Sequence, residues 1–171
     1  FPYTTLFRSD IKGFFDNVNH GKLLKQIWTL GIRDKRLICI ISKMLKAEID
    51  GEGVPEKGTP QGGLLSPLLS LIVLNELDWW VSSQWETFQP KNRSKNGWLQ
   101  YAKKYTKLKS GFIVRYADDF KIMCSTYGEA QRFYHSTVDF LNKRLKLEIS
   151  PEKSKVVNLD RKSTRLNSSH P

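Results

Sequence analysis

The stretch from Phe112 to Met123 (FIVRYADDFKIM) decides the fold, because an apolar segment lies on each side of a short polar tip. Residues 112–114 and 120–123 are mainly apolar, and Asp118 and Asp119 lie between them. Two apolar segments of this length around a tight turn predict a pair of antiparallel strands. We therefore expect a buried hairpin that carries two adjacent carboxylates at its tip.

The pair of acids at the tip has two interpretations. Adjacent ionised carboxylates repel each other and raise each other's pKa values, so a divalent cation that prefers oxygen ligands is a natural partner for them. Asp is also a common turn residue, and two solvated Asp residues at the end of an ordinary hairpin need no metal. The hairpin sequence alone leaves both interpretations open.

Three further stretches of sequence help to decide between these two interpretations of the acid pair. They are Asp10 to His20 (DIKGFFDNVNH), Gly58 to Leu69 (GTPQGGLLSPLL) and Leu147 to Lys155 (LEISPEKSK). Together with Arg115 to Phe120 (RYADDF), they resemble the reverse transcriptase family. Within that family, their sequences are most similar to the group II intron-encoded reverse transcriptases and maturases. Four motifs in the right order make this resemblance specific, whereas a lone Tyr-x-Asp-Asp would be weak.

The resemblance implies an α+β fold of the reverse-transcriptase palm type. Such a palm is a ferredoxin-like antiparallel sheet with helices packed on one face, and here the domain would be incomplete. Periodicity independently predicts helices near residues 23–28, 37–45 and 130–145, and a helix over 64–80 that is apolar nearly all round and therefore buried. We expect Asp10 to end a central strand beside the hairpin tip.

The resemblance also assigns roles to the acids. It implies that Asp10, Asp118 and Asp119 are the catalytic residues and hold two Mg²⁺ ions, with Asp10 and Asp118 as the main bridging ligands. Joining a primer 3′-hydroxyl to an incoming nucleotide builds negative charge on the attacking and leaving oxygens, and two magnesium ions stabilise both. Carboxylates suit magnesium because this ion prefers oxygen ligands.

Three residues are implied to contact the incoming nucleotide. Resemblance places Phe15 against its sugar, where a ribose 2′-hydroxyl would clash, although one of Phe14 and Phe15 is also a core residue if neighbours in a strand face opposite ways. Gln61 lies in a Pro-Gln-Gly turn, which turn chemistry alone also explains. Lys153 matches a basic residue near the leaving pyrophosphate, and a surface lysine before a strand is the alternative.

Basic residues indicate a nucleic acid partner. The chain of 171 residues has a formal net charge of +11, and Lys and Arg supply most sequence-independent affinity for phosphate backbones. Residues 88–109 mix Lys with Trp and Tyr and are predicted to form an insertion at the edge of the core, either a phosphate-contacting, base-stacking segment or a solvated loop. Gly62, Lys103 and Lys104 are the predicted nucleic-acid contacts.

The implied function is that of an RNA-directed DNA polymerase domain. Its partners would be an RNA template, a DNA or RNA primer, deoxynucleoside triphosphates and group II intron RNA. The alternatives are a maturase-type protein that binds intron RNA without polymerisation, and a retron-type bacterial reverse transcriptase. The intact acids favour polymerisation, but a piece of such an enzyme is expected to be inactive by itself.

The two ends of the chain are expected to lie outside the domain. Residues 1–9 (FPYTTLFRS) and 160–171 (DRKSTRLNSSHP) are similar to translated sequencing-adapter sequence, so the partial reverse transcriptase domain would comprise residues 10–159. Cys39 and Cys124 lack a second Cys or His at ligand spacing, so neither a zinc site nor a disulfide is indicated. No apolar stretch is long enough to span a membrane, and we expect an intracellular protein, either cytoplasmic in a bacterium or organellar.

Overall fold

The computed structural model describes residues 4–49, 51, 53–60, 63–88, 104–105 and 111–159. Its elements follow in the order β1 (Thr5–Ser9), α1 (Phe14–Asn17), α2 (His20–Thr29), α3 (Lys35–Leu45), α4 (Ser66–Gln84), β2 (Gly111–Tyr116), β3 (Asp119–Cys124), α5 (Tyr127–Phe140) and β4 (Lys155–Asn158). A π-helical turn, Leu141–Leu145, continues α5. The four helices that periodicity predicted are confirmed as α2 to α5.

The strands in the described ranges form one four-stranded antiparallel sheet in the order β2-β3-β1-β4. At the closed end of the β2–β3 hairpin, Tyr116 pairs with Asp119. Strand β1 lies between β3 and β4, and its last residue, Ser9, lies opposite Phe120. The predicted hairpin and the predicted antiparallel α+β architecture are therefore confirmed.

The helices pack against one face of this sheet. Phe7 of β1 and Phe120 of β3 are fully buried on that face, with ring centroids 5.8 Å apart, and Tyr134 of α5 packs edge-on against Phe7 at 5.3 Å. Alternate residues of a strand point to the opposite face, where Arg8 and Lys121 are exposed. The predicted packing of helices on one face is confirmed.

Helix α5 approaches the hairpin most closely at Gly111. A Cβ atom added there would lie 2.2 Å from two atoms of the Phe133 ring, and Phe133 is fully buried. Glycine within a strand often marks such a close approach. The Phe133 ring thus occupies the space of a side chain at residue 111, and the hairpin and α5 pack directly on each other.

Helix α4 is apolar nearly all round, but it is not buried on all sides. Its Pro67 lies in the first turn, where a missing N–H leaves no helical hydrogen bond unmade. Leu69, Val73 and Leu77 are among its buried residues, whereas its other face exposes the large side chains of Leu68, Leu71 and Trp79. The predicted burial is therefore wrong for this second face. No helix in the described part of the chain is long and apolar enough to cross a membrane.

Phe14 and Phe15 lie in a short helix, α1, and not in a strand. Gly13 begins it with φ +50°, and the Asn17 side chain donates hydrogen bonds to the carbonyl oxygens of Lys12 and Gly13 at 3.2 and 2.9 Å. A positive φ at the entry and a local side-chain cap favour a helical turn over continued extension. The expectation of strand geometry at these two residues is wrong.

Strand β1 differs from the expectation that residues 1–9 lie outside the fold. Thr5–Ser9 pair with β3 on one side and with β4 on the other, and Thr5, Phe7 and Ser9 are buried. The predicted exclusion of this stretch from the fold is therefore wrong, although an adapter origin for it stays a prediction. Residues 160–171 and most of 88–109 lie outside the described residues.

Candidate active site

The tip of the β2–β3 hairpin is a two-residue turn, Ala117-Asp118, closed by Tyr116 and Asp119. Ala117 has φ +52°, in the left-handed region that costs an L residue roughly 1–2 kcal/mol. A positive φ at the first central residue is what a two-residue hairpin turn requires, because it matches the twist of the flanking strands. The turn therefore holds Asp118 at the tip and Asp119 at the start of β3.

Arg115 contacts this turn from the side that faces α4. Its Nη1 donates a 2.8 Å hydrogen bond to the carbonyl oxygen of Ala117. Its Nε donates to both carboxylate oxygens of Asp78 in α4, at 2.9 and 3.1 Å, and its Nη2 lies 2.6 Å from Asp78 Oδ2. Sequence reasoning assigned a role to neither residue: Arg115 begins the RYADDF motif, and Asp78 is one of two acids, with Glu76, in a largely apolar helix.

Asp10 follows the last residue of β1 at the same end of the sheet. Because Ser9 pairs with Phe120 in antiparallel register, the chain brings Asp10 beside Asp119, the next residue along β3. The backbone N–H of Ser150 donates a 2.8 Å hydrogen bond to the carbonyl oxygen of Asp10. The expected position of Asp10, at the end of a central strand beside the tip, is what the sheet shows.

Lys153 forms an ion pair with Asp10, with 2.8 Å between Nζ and Oδ2. The hydrogen bond to Asp10 raises the pKa of Lys153, the charges of Asp10 and Asp118 add to the effect, and Arg8 opposes it. The side chain is 68% exposed, so it is a surface lysine that nevertheless lies against a predicted metal ligand. Its predicted contact with the leaving pyrophosphate stays a prediction.

Asp119 is incompletely satisfied. Its Oδ2 lies 3.7 Å from Arg8 Nη2, a long contact between partly exposed groups. Its Oδ1 is buried and has no hydrogen-bond partner among the described residues. A buried acceptor without a donor costs free energy that a bound cation would recover. The free oxygen and the all-oxygen set of neighbouring acids fit a hard divalent ion such as magnesium.

The three predicted ligands lie at the same end of the sheet, but their carboxylates are not gathered into one cluster. In the parts of the chain that the structure describes, no three His, Cys, Asp or Glu side chains lie close enough together to hold a metal ion. Lys153 and Arg8 are instead the charged partners of Asp10 and Asp119. Metal ligation by Asp10, Asp118 and Asp119 therefore stays a prediction.

A cavity of about 770 Å³ opens beside the hairpin tip. Phe15, Trp79 and Tyr116 are among its lining residues, and its size suits a small ligand. Phe14 is buried in the core, whereas Phe15 is only partly buried. Both phenylalanines line the cavity, Phe14 as a buried core residue, as expected, and Phe15 as a partly buried one. The predicted contact of Phe15 with the sugar stays a prediction.

The loop that contains Gln61 begins at a fixed position next to Phe15. The backbone N–H of Thr59 donates a 2.7 Å hydrogen bond to the carbonyl oxygen of Phe15. Gly58, with φ +98°, has Asp16 and Phe15 carbonyl oxygens within 3.2 Å of the place of a Cβ, so only glycine fits without displacement. The backbone therefore ties the start of this loop to the predicted sugar-contacting residue.

Several predicted contacts cannot be placed. Gln61, Gly62 and Lys103 lie outside the described residues. Lys104 is described and exposed, and its Nζ lies 5.5 Å from the centroid of the Tyr105 ring. The predicted roles of these four residues in nucleotide or nucleic-acid contact stay predictions.

The sheet, the acidic hairpin and the sequence together define the class of protein. The chain matches the sequence profile of the family described as reverse transcriptase (RNA-dependent DNA polymerase) over residues 2–167. It therefore belongs to the reverse transcriptase family, as the four motifs predicted.

Individual relatives refine this assignment. Group II intron-encoded protein LtrA of Lactococcus lactis subsp. cremoris is 31% identical over 191 residues, which cover 87% of this chain and 32% of LtrA. Protein YkfC of Escherichia coli K12 is 27% identical over 167 residues, which cover 91% of this chain and 44% of YkfC. The predicted resemblance to group II intron-encoded proteins is confirmed, and the chain spans less than half the length of either relative.

A solved structure supports the fold. Apo telomerase from Candida Tropicalis, truncated from its C-terminal domain, superposes with a TM-score of 0.60 and 14% sequence identity, over 90% of this chain and 30% of the telomerase chain. At this identity the likeness concerns the fold alone. It confirms the predicted reverse-transcriptase-like fold.

Proposed function

We propose that this chain is part of the RNA-directed DNA polymerase domain of a group II intron protein. The observation that carries the proposal is the position of Asp10 beside the hairpin acids at one end of the sheet, where a buried oxygen of Asp119 has no donor among the described residues. The family match over residues 2–167 and the 31% identity to LtrA support it. The parent protein would be intracellular, in a bacterial cytoplasm or an organelle.

In this proposal Asp10, Asp118 and Asp119 hold two Mg²⁺ ions. Bound magnesium would supply positive charge at the attacking and leaving oxygens of nucleotidyl transfer. Lys153 would release Asp10 when that carboxylate binds a metal ion, because one oxygen cannot accept a hydrogen bond from an ammonium group and bind a metal ion equally well. The freed ammonium would then be available at the same edge for the leaving phosphates.

The substrates follow from the neighbouring residues. Deoxynucleoside triphosphates would enter beside Phe15, whose ring would exclude a ribose 2′-hydroxyl, with Gln61 contacting the nucleotide from the adjoining loop. An RNA template and a DNA or RNA primer would lie against the basic surface, with Gly62, Lys103 and Lys104 as contacts.

Asp118→Asn tests the proposed chemistry. We expect it to lower the rate of primer extension at least about a thousandfold, because a neutral amide neither bridges nor neutralises two metal ions. The assay requires a protein that carries this domain together with the remaining length of its relatives. Lys121→Gln, on the exposed face of β3, is the matched control for loss of a charge, and retained extension by Asp118→Asn would refute the proposal.

Phe15→Ala tests sugar selection. Removal of the ring opens the space for a 2′-hydroxyl, so we expect ribonucleotide incorporation to rise by about 10-fold or more relative to deoxynucleotide incorporation. The ratio of kcat/KM values for the two nucleotides measures it. An unchanged ratio in an active variant would leave Phe15 as a packing residue only.

Intron RNA binding without polymerisation is the second candidate function. Two observations favour it: the formal net charge of +11, and carboxylates that are not gathered into one cluster within the described ranges. A maturase-type protein needs basic surface but no metal ligands. Equal binding of group II intron RNA by the natural sequence and by Asp118→Asn, together with no primer extension by either, would favour this candidate.

A further inference from the structure

Arg115, Asp78 and the carbonyl oxygen of Ala117 form a connected group, here called the Arg115 clamp. Three hydrogen bonds join the guanidinium to the Asp78 carboxylate, and a fourth joins it to Ala117. The Arg115 side chain is only 11% exposed. A planar guanidinium that is bonded on two sides and largely buried has little freedom to move.

The clamp joins the least favourable turn residue to a rigid element. Ala117 is held at φ +52°, which an L residue adopts at a cost, and its carbonyl oxygen is the atom that Arg115 binds. Asp78 belongs to α4, a helix of 19 residues whose buried face packs in the core. The position of the turn is therefore fixed by α4 as well as by the hairpin's own backbone.

We infer that Arg115 is a positioning residue for the acidic tip: anchored on Asp78, it holds Ala117 in its left-handed conformation and thereby fixes the backbone of Asp118. The inference rests on the proposed function in one respect, that the tip binds a divalent cation. None of its three residues is a proposed metal ligand, although Asp78, Arg115 and Ala117 all line the cavity beside Phe15. Loss of the clamp would let the turn relax and move the Asp118 carboxylate away from Asp10 and Asp119.

The chain offers a matched pair of variants for the test. Arg115→Lys keeps the charge but has no fork with which to bond Asp78 and Ala117 together. Asp78→Asn removes the anchor charge. Glu76→Gln is the control, because Glu76 lies on the same helix and is also ion-paired, but its partners are Lys22 on α2 and Arg144 in the π-helical turn.

The experiment measures Mn²⁺ binding to the 171-residue chain by electron paramagnetic resonance, and amide hydrogen exchange at Ala117, Asp118 and Asp119. We expect Arg115→Lys and Asp78→Asn each to weaken Mn²⁺ binding about tenfold, as loss of a residue that orients a ligand does. Exchange at the tip should become faster in both. Glu76→Gln should keep Mn²⁺ affinity within about twofold and leave tip exchange unchanged.

The outcomes separate the inference from the proposed function. If the natural sequence binds Mn²⁺ and Arg115→Lys binds it equally with unchanged tip exchange, the inference is overturned and the proposed function is untouched. If Mn²⁺ binding is absent from the natural sequence, the proposed function fails, and tip exchange alone then decides the inference. Equal weakening by Glu76→Gln would also overturn it, because general loss of stability would explain the result.

Discussion

Two carboxylates in this fold have opposite surroundings. Glu76 on α4 lies 2.7 Å from Lys22 Nζ and 2.5 Å from Arg144 Nε, so both its oxygens have charged partners. Asp119 has a long contact to Arg8, and its other oxygen is buried without a partner in the part of the chain that the structure describes. A carboxylate whose two oxygens both have charged partners, such as Glu76, joins elements of the fold. A carboxylate with an unpaired oxygen among the described residues, such as Asp119, has an acceptor left for a cation.

The pKa of Glu76 reflects this saturation. Burial acts to raise it, but hydrogen bonds from Lys22, Arg144 and Gln26 outweigh burial, and the net pKa is lowered. Gln26 also donates to the carbonyl oxygen of Val73, so α2 and α4 are linked at two points. The charge of Glu76 is therefore part of the folded structure.

Asp119→Asn should have the largest effect on Mn²⁺ affinity among the substitutions that distinguish these two carboxylates. The amide removes the charge of the unsaturated acid, so we expect Mn²⁺ affinity of the chain to fall at least about 100-fold. Stability in urea should change little or even rise, because the substitution replaces a charged group by a neutral amide, which costs less to bury. Electron paramagnetic resonance of free Mn²⁺ measures the affinity, and binding that survives the substitution would contradict a cation site at this position.

Glu76→Gln should have the reverse profile. We expect a loss of about 1–2 kcal/mol in the free energy of unfolding in urea at pH 7, because two ion pairs lose their charged acceptor. Since the folded pKa is lowered, this contribution is fully present above the ordinary glutamate pKa of 4.5 and is lost as pH falls through the folded pKa. The difference between the two proteins should therefore close in acid, and a constant difference down to pH 2 would contradict it.

Arg8→Ala should have the smallest effect on stability. Both partners of the Arg8 to Asp119 contact are partly exposed, at 49% and 37%, and such pairs contribute within about 0.5 kcal/mol. Removal of the competing cation should raise Mn²⁺ affinity. A fall in affinity on titration with Mn²⁺ would mean that Arg8 supports the acidic tip instead of competing at it.

The hairpin and helices could be predicted because their signals are local. Apolar segments on both sides of Asp118 and Asp119 specify the β2–β3 pair, and the apolar stripe of α5 continues over several turns. The outer face of α4 could not be predicted in the same way. A helix that is apolar all round reports only that apolar surface exists, not which neighbours cover it.

The parts that the sequence did not predict depend on contacts between distant residues. Arg115 and Asp78 are far apart along the chain, and only the packing of α4 on β2 brings them together. The place of β1 depends likewise on pairing with β3 and β4, which composition and resemblance to adapter sequence do not report. The acids were found because two of the four motifs contain them, whereas Asp78 belongs to no recognised motif, and Arg115 was assigned no role although it begins RYADDF.

The central position of β1 has a consequence for any polypeptide that starts at Asp10. Without Thr5–Ser9, strands β3 and β4 would stand about 10 Å apart, twice the usual spacing, with unpaired backbone groups facing each other across the gap. An extended peptide of a separate molecule would fit that gap and complete the sheet by strand donation. Five residues that carry none of the proposed chemistry would then become an exchangeable ligand of the domain.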